Sequence, residues 1–292
     1  MSLFQGVATA LITPFTDNGV NTDTLKELIN FQIDNGIKGL VMLGTTGENP
    51  TISDAERDLI VETTLKEVAG RVPVIVGTGS NDTSKAVEYT KKAKEQGADA
   101  VLVVTPYYNK TNSEGLYQHY KAIDEVGIPI VIYTVPSRTG MNPDVNTIAK
   151  IASLKNVVML KDATGDIEQL SKIVKATEQE DFDIVSGEDG LTLPYMAVGA
   201  KGVISTTSNL APKEMQSICD KFFAGDIAGA RKAQLDLLDL ISAVFIETNP
   251  IATKKAMELL GYDVGKLRQP LWEISEKGLA KLKLEMAKIG LI

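Results

Sequence analysis

The sequence predicts an α/β fold, a (β/α)8 TIM barrel with a C-terminal helical extension, and three observations predict it. Short runs dense in β-branched residues alternate with amphipathic stretches along most of the 292 residues. The runs are apolar throughout rather than alternating, as strands buried on both faces of a parallel sheet must be. There are eight of them, which favours closure into a barrel over an open doubly wound sheet, at a length ordinary for a barrel with additions.

In chain order the predicted strands are "VATALITP" (7–14), "GLVMLG" (39–44), "VPVIVGTG" (72–79), "AVLVVTP" (100–106), "PIVIYTVP" (129–136), "VVMLKD" (157–162), "FDIVSG" (182–187) and "GVISTT" (202–207). Helical patterns separate them, among them "TLKELINFQIDNG" and "SDAERDLIVETTLKEVAG"; the second opens on a capping box formed by Ser53 and Glu56. After "APKEMQSICDKFFAGD" no further strand is predicted, and the chain reads as helices broken near "ETNP" and "LRQP". This divides it into a catalytic barrel, residues 1–225, and a helical region, residues 226–292, useful for packing or assembly.

Composition narrows the function. The chain is 43% hydrophobic and 23% charged, with no apolar run approaching the roughly 20 residues that span a bilayer. The opening "MSLFQGVATALITPF" lacks the basic flank and small-residue cleavage signal of a secretory peptide, so the expected location is the cytoplasm. A net charge of −8 opposes nucleic acid and does not favour an anionic membrane. Cys219 is the single cysteine and reads as core. The single histidine, His119, reads as a helix-surface residue, which leaves Ser-His-Asp and Cys-His schemes almost nothing to work with. Zinc spacings are absent, and neither "GTGSND" nor "GTTGEN" completes a dinucleotide or P-loop fingerprint, so no metal and no cofactor is expected.

Reactive residue types gather where the strands end: "GTTGEN" (44–49), "TPYYN" (105–109), "YTVPSRTG" (133–140), "LKDATG" (160–165) and "SGED" (186–189). The carboxyl ends of a parallel barrel are where its chemistry sits. Lys161 closes an apolar run; such a lysine ordinarily marks the strand's exit to solvent, but one sunk in an apolar wall becomes a nucleophile toward carbonyls. Strand parity places Lys161 inward with Met159 and Val157, and Val158 and Leu160 toward the helices. The same parity turns Tyr133 inward on the neighbouring strand, where a phenol could shuttle protons for Schiff-base chemistry. Arg138 lies on the loop after Tyr133, and its fork suits a carboxylate.

Taken in order, "GTTGEN", "TPYYNK", "YTVPSRTG", "LKDATG", "SGED", "GVIS" and the "ETNPI" of the tail resemble the dihydrodipicolinate synthases, pyruvate-dependent Schiff-base aldolases, nearly end to end. The resemblance implies a lyase that condenses pyruvate with L-aspartate 4-semialdehyde on the route to diaminopimelate and lysine. It implies Lys161 as the Schiff-base lysine, Tyr133 as proton donor and acceptor, and Thr45 as the hydroxyl linking Tyr133 to a second tyrosine, Tyr108. Tyr108 would enter a neighbouring subunit's site, so that a dimer is the smallest complete catalyst and a homotetramer the expected assembly. Thr46 would hold the pyruvate carboxylate, Gly187 and Ile204 would line the pocket through their backbones, and Arg138 would bind the semialdehyde's carboxylate. That arginine argues against the alternative, an N-acetylneuraminate lyase or keto-deoxy-sugar-acid aldolase. The resemblance departs at the effector site of lysine-inhibited members: Asp54, Arg57 and Lys85 stand there, with Asn81 retained, and weak or absent feedback by lysine is expected.

Overall fold

The computed structural model describes residues 2–292. Among them, eight parallel strands close into a barrel: β1 (Gly6–Ala10), β2 (Gly39–Met42), β3 (Val74–Gly77), β4 (Ala100–Val104), β5 (Ile130–Thr134), β6 (Val157–Asp162), β7 (Asp183–Ser186) and β8 (Gly202–Ser205). Each pairs with its sequence neighbours, and β1 closes the ring on β8 through Gly6 opposite Gly202. Crossover helices cover the outside: α1 (Thr22–Asp34), α2 (Asp54–Val68), α3 (Thr83–Gln96), α4 (Ser113–Asp124), the single turn α5 (Pro136–Thr139), α6 (Val145–Ala152), α7 (Ile167–Ala176), α8 (Thr192–Ala197) and α9 (Pro212–Phe223). The Ser53–Glu56 capping box opens α2 as its sequence demands, the serine hydroxyl accepting from the Glu56 amide and the Glu56 carboxylate from that of Ser53.

Two apolar layers hold this together. One lies between strands and helices, and the other fills the barrel with Ala8, Val41, Ile75, Leu102, Val131, Met159, Val185 and Ile204, all 4% exposed or less. Phe4 belongs to the inner cluster too. The interior is therefore a packed core, and the open space lies at the rim.

Most predicted strands overshoot at their carboxyl ends, while β6 has its predicted bounds. The overshooting residues leave the ladder to build loops. After β2, Leu43 and Glu48 turn through positive φ, 55° and 58°, and β3 must end on a glycine because a Cβ at Gly77 would lie 2.0 Å from the Leu43 carbonyl oxygen.

Parity along β6 is corrected in part. Met159 packs inward and Leu160 outward, but Val157 lies in the outer layer and Val158 against the inner cluster. The pairing with β5 jumps from Ile130–Val157 to Val131–Met159. One extra residue there inverts the alternation before it and leaves Lys161 where the count placed it.

His119 is also corrected. It is 4% exposed, on the buried face of α4 with Leu116, Tyr120 and Ile123, and its Nδ1 lies 2.9 Å from the Thr83 hydroxyl of α3. Burial holds its pKa down to about 4, so it packs as a neutral ring. Cys219 is a buried free thiol, pushed up to about 12 by burial.

The tail forms α10 (Ile227–Val244), α11 (Ile251–Leu259) and α12 (Glu276–Lys288), with α10 packed along α9 and α12. It grips the rim. Lys254 of α11 donates to Glu48 in the loop after β2 at 2.8 Å, both side chains 3% exposed or less, and the Arg268 amide donates to the other Glu48 oxygen at 2.8 Å. Arg268 also pairs with Glu56 of α2 and, with Lys254, stacks on the Phe15 ring. Phe15 sits in a short hairpin, Phe15–Thr16 with Gly19–Val20, that the sequence reading missed although "DNG" is turn-forming. Among the described residues no helix is long and apolar enough to cross a membrane.

Candidate active site

Lys161 and Tyr133 are register partners on β6 and β5 at the carboxyl end of the barrel. The lysine is 6% exposed and the tyrosine 7%, with the ammonium nitrogen 4.4 Å from the centre of the phenol ring. Among the described residues the Lys161 amine has no ion pair. Burial drops its pKa to about 8, with Asp189 and Glu188 resisting the fall and Arg138 adding to it. Burial likewise raises Tyr133 to about 12, against the Arg138 charge and a hydrogen bond with the Thr45 side chain. At neutral pH the phenol keeps its proton, and a usable fraction of the amine has none.

The strand end that carries Lys161 is pinned. Asp162, 1% exposed, accepts from the hydroxyls of Thr134 (2.8 Å), Tyr195 (2.8 Å) and Thr164 (2.9 Å). A carboxylate so satisfied can sit in the core and fix the backbone beside the amine. The Gly187 amide donates to the Asp162 carbonyl at 2.6 Å, and a Cβ at Gly187 would stand 3.2 Å from Lys161 Cε and 2.8 Å from the Ala163 Cβ. Only glycine leaves that lysine its room.

A cavity of about 140 Å³ gathers Lys161, Tyr133, Thr45, Thr46, Arg138 and Gly187. The polar side is wired together. Arg138 donates to the Asn249 carbonyl at 3.0 Å, the Asn249 side-chain amide donates to the Thr46 hydroxyl at 2.9 Å, and Thr46 and Thr206 hydroxyls lie 3.3 Å apart. Thr46 accepts from Asn249, so its own proton serves either the Thr206 hydroxyl or a carboxylate that displaces that contact. Two predicted residues lie elsewhere. Ile204 is buried in the inner cluster, with Thr206 supplying the cavity wall beyond β8, and Tyr108 is 92% exposed at φ 67°.

A larger cavity of about 900 Å³ shares Thr45, Tyr133 and Arg138 with the first and runs out past Asn81 to Asp54, Arg57, Lys85 and Tyr89. Arg57 is 6% exposed; its guanidinium lies 4.1 Å from the centre of the Tyr89 ring, and it donates to the Gly77 carbonyl at 2.8 Å and to the Asn49 side chain. Lys85 lies 5.3 Å from the centre of the same ring. Among the described residues no group of three or more histidine, cysteine or acidic side chains is placed to hold a metal ion.

Residues 3–289 match the model of the dihydrodipicolinate synthetase family. The chain belongs to that family. It is 47% identical over 291 residues, 99% of each chain, to the 4-hydroxy-tetrahydrodipicolinate synthase of Acetivibrio thermocellus. The dihydrodipicolinate synthase structure from Thermotoga maritima superposes with a TM-score of 0.97 at 44% identity, over 100% of both chains. A dihydrodipicolinate synthase variant described as monomeric gives 0.97 at 44% identity, over 99% of this chain and 98% of that one. As a member of the dihydrodipicolinate synthetase family the chain is an enzyme, a lyase, and its rim cavity is the place to look for the chemistry.

Glu188, Thr206, Phe245 and Asn249 also line the cavity, and the sequence alone gives none of them a role. Glu188 stood inside the quoted "SGED" without a role. Asn249 stands inside "ETNPI", a helix break and part of the family resemblance, but it has no role there because nothing local says that a residue so far along the chain returns to the rim.

Proposed function

We propose that the cavity condenses pyruvate with L-aspartate 4-semialdehyde through a Schiff base on Lys161, in the cytoplasm. The observation that carries this is the buried, unpaired Lys161 amine lying over Tyr133. The neutral amine attacks the pyruvate ketone carbon, and the carbonyl oxygen takes a proton from Tyr133. Loss of that oxygen as water, with a second proton relayed along Tyr133 and Thr45, gives the iminium. Its positive nitrogen draws electrons from the methyl group, which gives up a proton to form the enamine. The enamine carbon then bonds to the aldehyde carbon of the semialdehyde, and the aldehyde oxygen takes the proton. Finally the semialdehyde's own amine displaces Lys161 from the pyruvate-derived carbon and closes the ring.

Thr46 suits the pyruvate carboxylate, and Arg138 suits the carboxylate of the second substrate. Gly187 serves through its backbone in the cavity wall, and Ile204 through its backbone on the strand that leads to Thr206. Tyr108, exposed on this chain, completes the relay of a second copy, in a dimer that pairs into a tetramer.

Borohydride reduction in the presence of pyruvate, followed by mass spectrometry of the digest, tests the reading. The expected result is a reduced pyruvate adduct on Lys161 alone. Arg138→Ala is expected to keep that adduct while losing use of the semialdehyde. Turnover without any adduct on Lys161 would overturn the proposal.

A further inference from the structure

Among the described residues Glu188 is the one acidic side chain in the wall of the 140 Å³ cavity, facing an interior whose other charges are Lys161 and Arg138. Its backbone is fixed on both sides. The Glu188 amide donates to the Ser186 hydroxyl at 3.0 Å, and that hydroxyl donates to the Glu188 carbonyl at 2.8 Å. The next residue, Asp189, is 1% exposed and accepts from the Thr206 and Thr207 amides at 3.1 and 2.7 Å. The Glu188 carboxylate itself accepts no hydrogen bond and forms no ion pair among the described residues. A charged group held in place, turned to a reaction cavity and left unpaired is available to a ligand.

The charge it would meet follows from the topology. Strands β5, β6 and β7 are consecutive in the barrel, so the Arg138 loop and the Glu188 loop flank the strand of Lys161. An α-amino acid brings a carboxylate and an ammonium on one carbon. Arg138 answers the first, but an ammonium entering a cavity that offered only two cations would be repelled.

We propose that Glu188 is a further catalytic residue of this site, its carboxylate binding the α-ammonium of the semialdehyde and removing the proton that must leave before that nitrogen can close the ring. The proposal rests on the Schiff-base reading above. The ammonium gives one proton to Glu188, and the freed lone pair bonds to the iminium carbon while the carbon–nitrogen π pair moves onto the Lys161 nitrogen. A second proton passes from the new ring nitrogen to the lysine nitrogen. The bond between that carbon and lysine then breaks, Lys161 leaves as the neutral amine, and the ring nitrogen forms the double bond. The proton held on Glu188 returns to solvent as product departs. Burial and the neighbouring Asp189 raise the Glu188 pKa above that of a free glutamate, which makes it the stronger base.

The test compares Glu188→Gln with the unaltered enzyme on two acceptors, L-aspartate 4-semialdehyde and succinate semialdehyde, which differ in the amine. With the natural acceptor kcat is expected to fall by roughly 10²–10³-fold. Reduction of the pyruvate adduct, exchange of pyruvate methyl protons in heavy water and carbon–carbon bond formation with succinate semialdehyde are expected to stay within a few-fold. Glu188→Asp should restore part of the loss on the natural acceptor. Equal losses on both acceptors would make the residue structural and overturn the proposal, as would full activity of Glu188→Gln on the natural one. Absence of a pyruvate adduct in the unaltered enzyme would instead overturn the Schiff-base reading itself, and the proposal with it.

Discussion

Lys161 holds its amine on a buried strand end without an ion pair, and a group so placed titrates where burial puts it, near 8 rather than 10.5. Below about 8 the ammonium predominates and cannot attack. The rate of adduct formation with pyruvate should therefore climb with pH and level off above about 8, and Tyr133, at about 12, adds no fall in that range. Rapid-quench trapping with borohydride measures the profile, and a rise continuing to 10.5 would show an amine that solvent reaches. Tyr133→Phe keeps the ring over the amine and removes the relay; turnover should drop on the order of 10²–10⁴-fold, with unfolding little changed. These residues were legible in the sequence because each stands one residue from the end of a strand, and strand periodicity says which way such a side chain points. Glu188 and Asn249 were not. Their roles depend on loops and on a distant segment meeting at the rim, which no local pattern encodes.

The strands were legible as elements and their ends were not. Residues such as Leu43 continue an apolar run in sequence, yet they leave the ladder because the loop after β2 must turn through positive φ. The extra residue opposite Ile130 and Val131 is likewise silent in composition, since Val157 and Val158 suit either face. Helices α2 and α3 bring Asp54, Arg57 and Lys85 to the large cavity, and their packing bears on the expected weak feedback by lysine. Arg57 lies over Tyr89, whose hydroxyl donates to Asp54 at 3.0 Å, and Lys85 flanks the same ring. A lysine ligand seated over Tyr89 would bring its ammonium toward Arg57 and Lys85, with the Asp54 carboxylate beside them already engaged by the Tyr89 hydroxyl. At about 4 Å and an effective dielectric near 20, one unit charge repels another by about 4 kcal/mol, close to 10³-fold in affinity. Sub-millimolar lysine should leave the initial rate unchanged; a steep inhibition curve in that range would refute the argument. Arg57→His with Lys85→Glu should raise sensitivity.

At the scale of the molecule, the helical tail is more than an appendage. Phe245 and Asn249 wall the cavity, and the buried Lys254–Glu48 pair fastens α11 to the loop that presents Thr45 and Thr46. Lys254→Met would strand the Glu48 charge and should cost about 3–5 kcal/mol in denaturant unfolding, most of it recovered by pairing it with Glu48→Gln; a cost below about 1 kcal/mol would mean that solvent already reaches the pair. Tyr108 is 92% exposed and absent from this chain's cavity, whereas Thr45 and Tyr133 line it. If Tyr108 serves a second copy, two inactive variants can repair each other. In a mixed dimer of Tyr108→Phe with Tyr133→Phe, the first protomer keeps its own Tyr133 and receives an intact Tyr108, while the second site lacks both. Random re-pairing makes half the dimers mixed with one sound site each, so about a quarter of unaltered activity should return. Were Tyr108 to act within its own chain, no pairing would build a sound site and the mixture would stay as inactive as its parts.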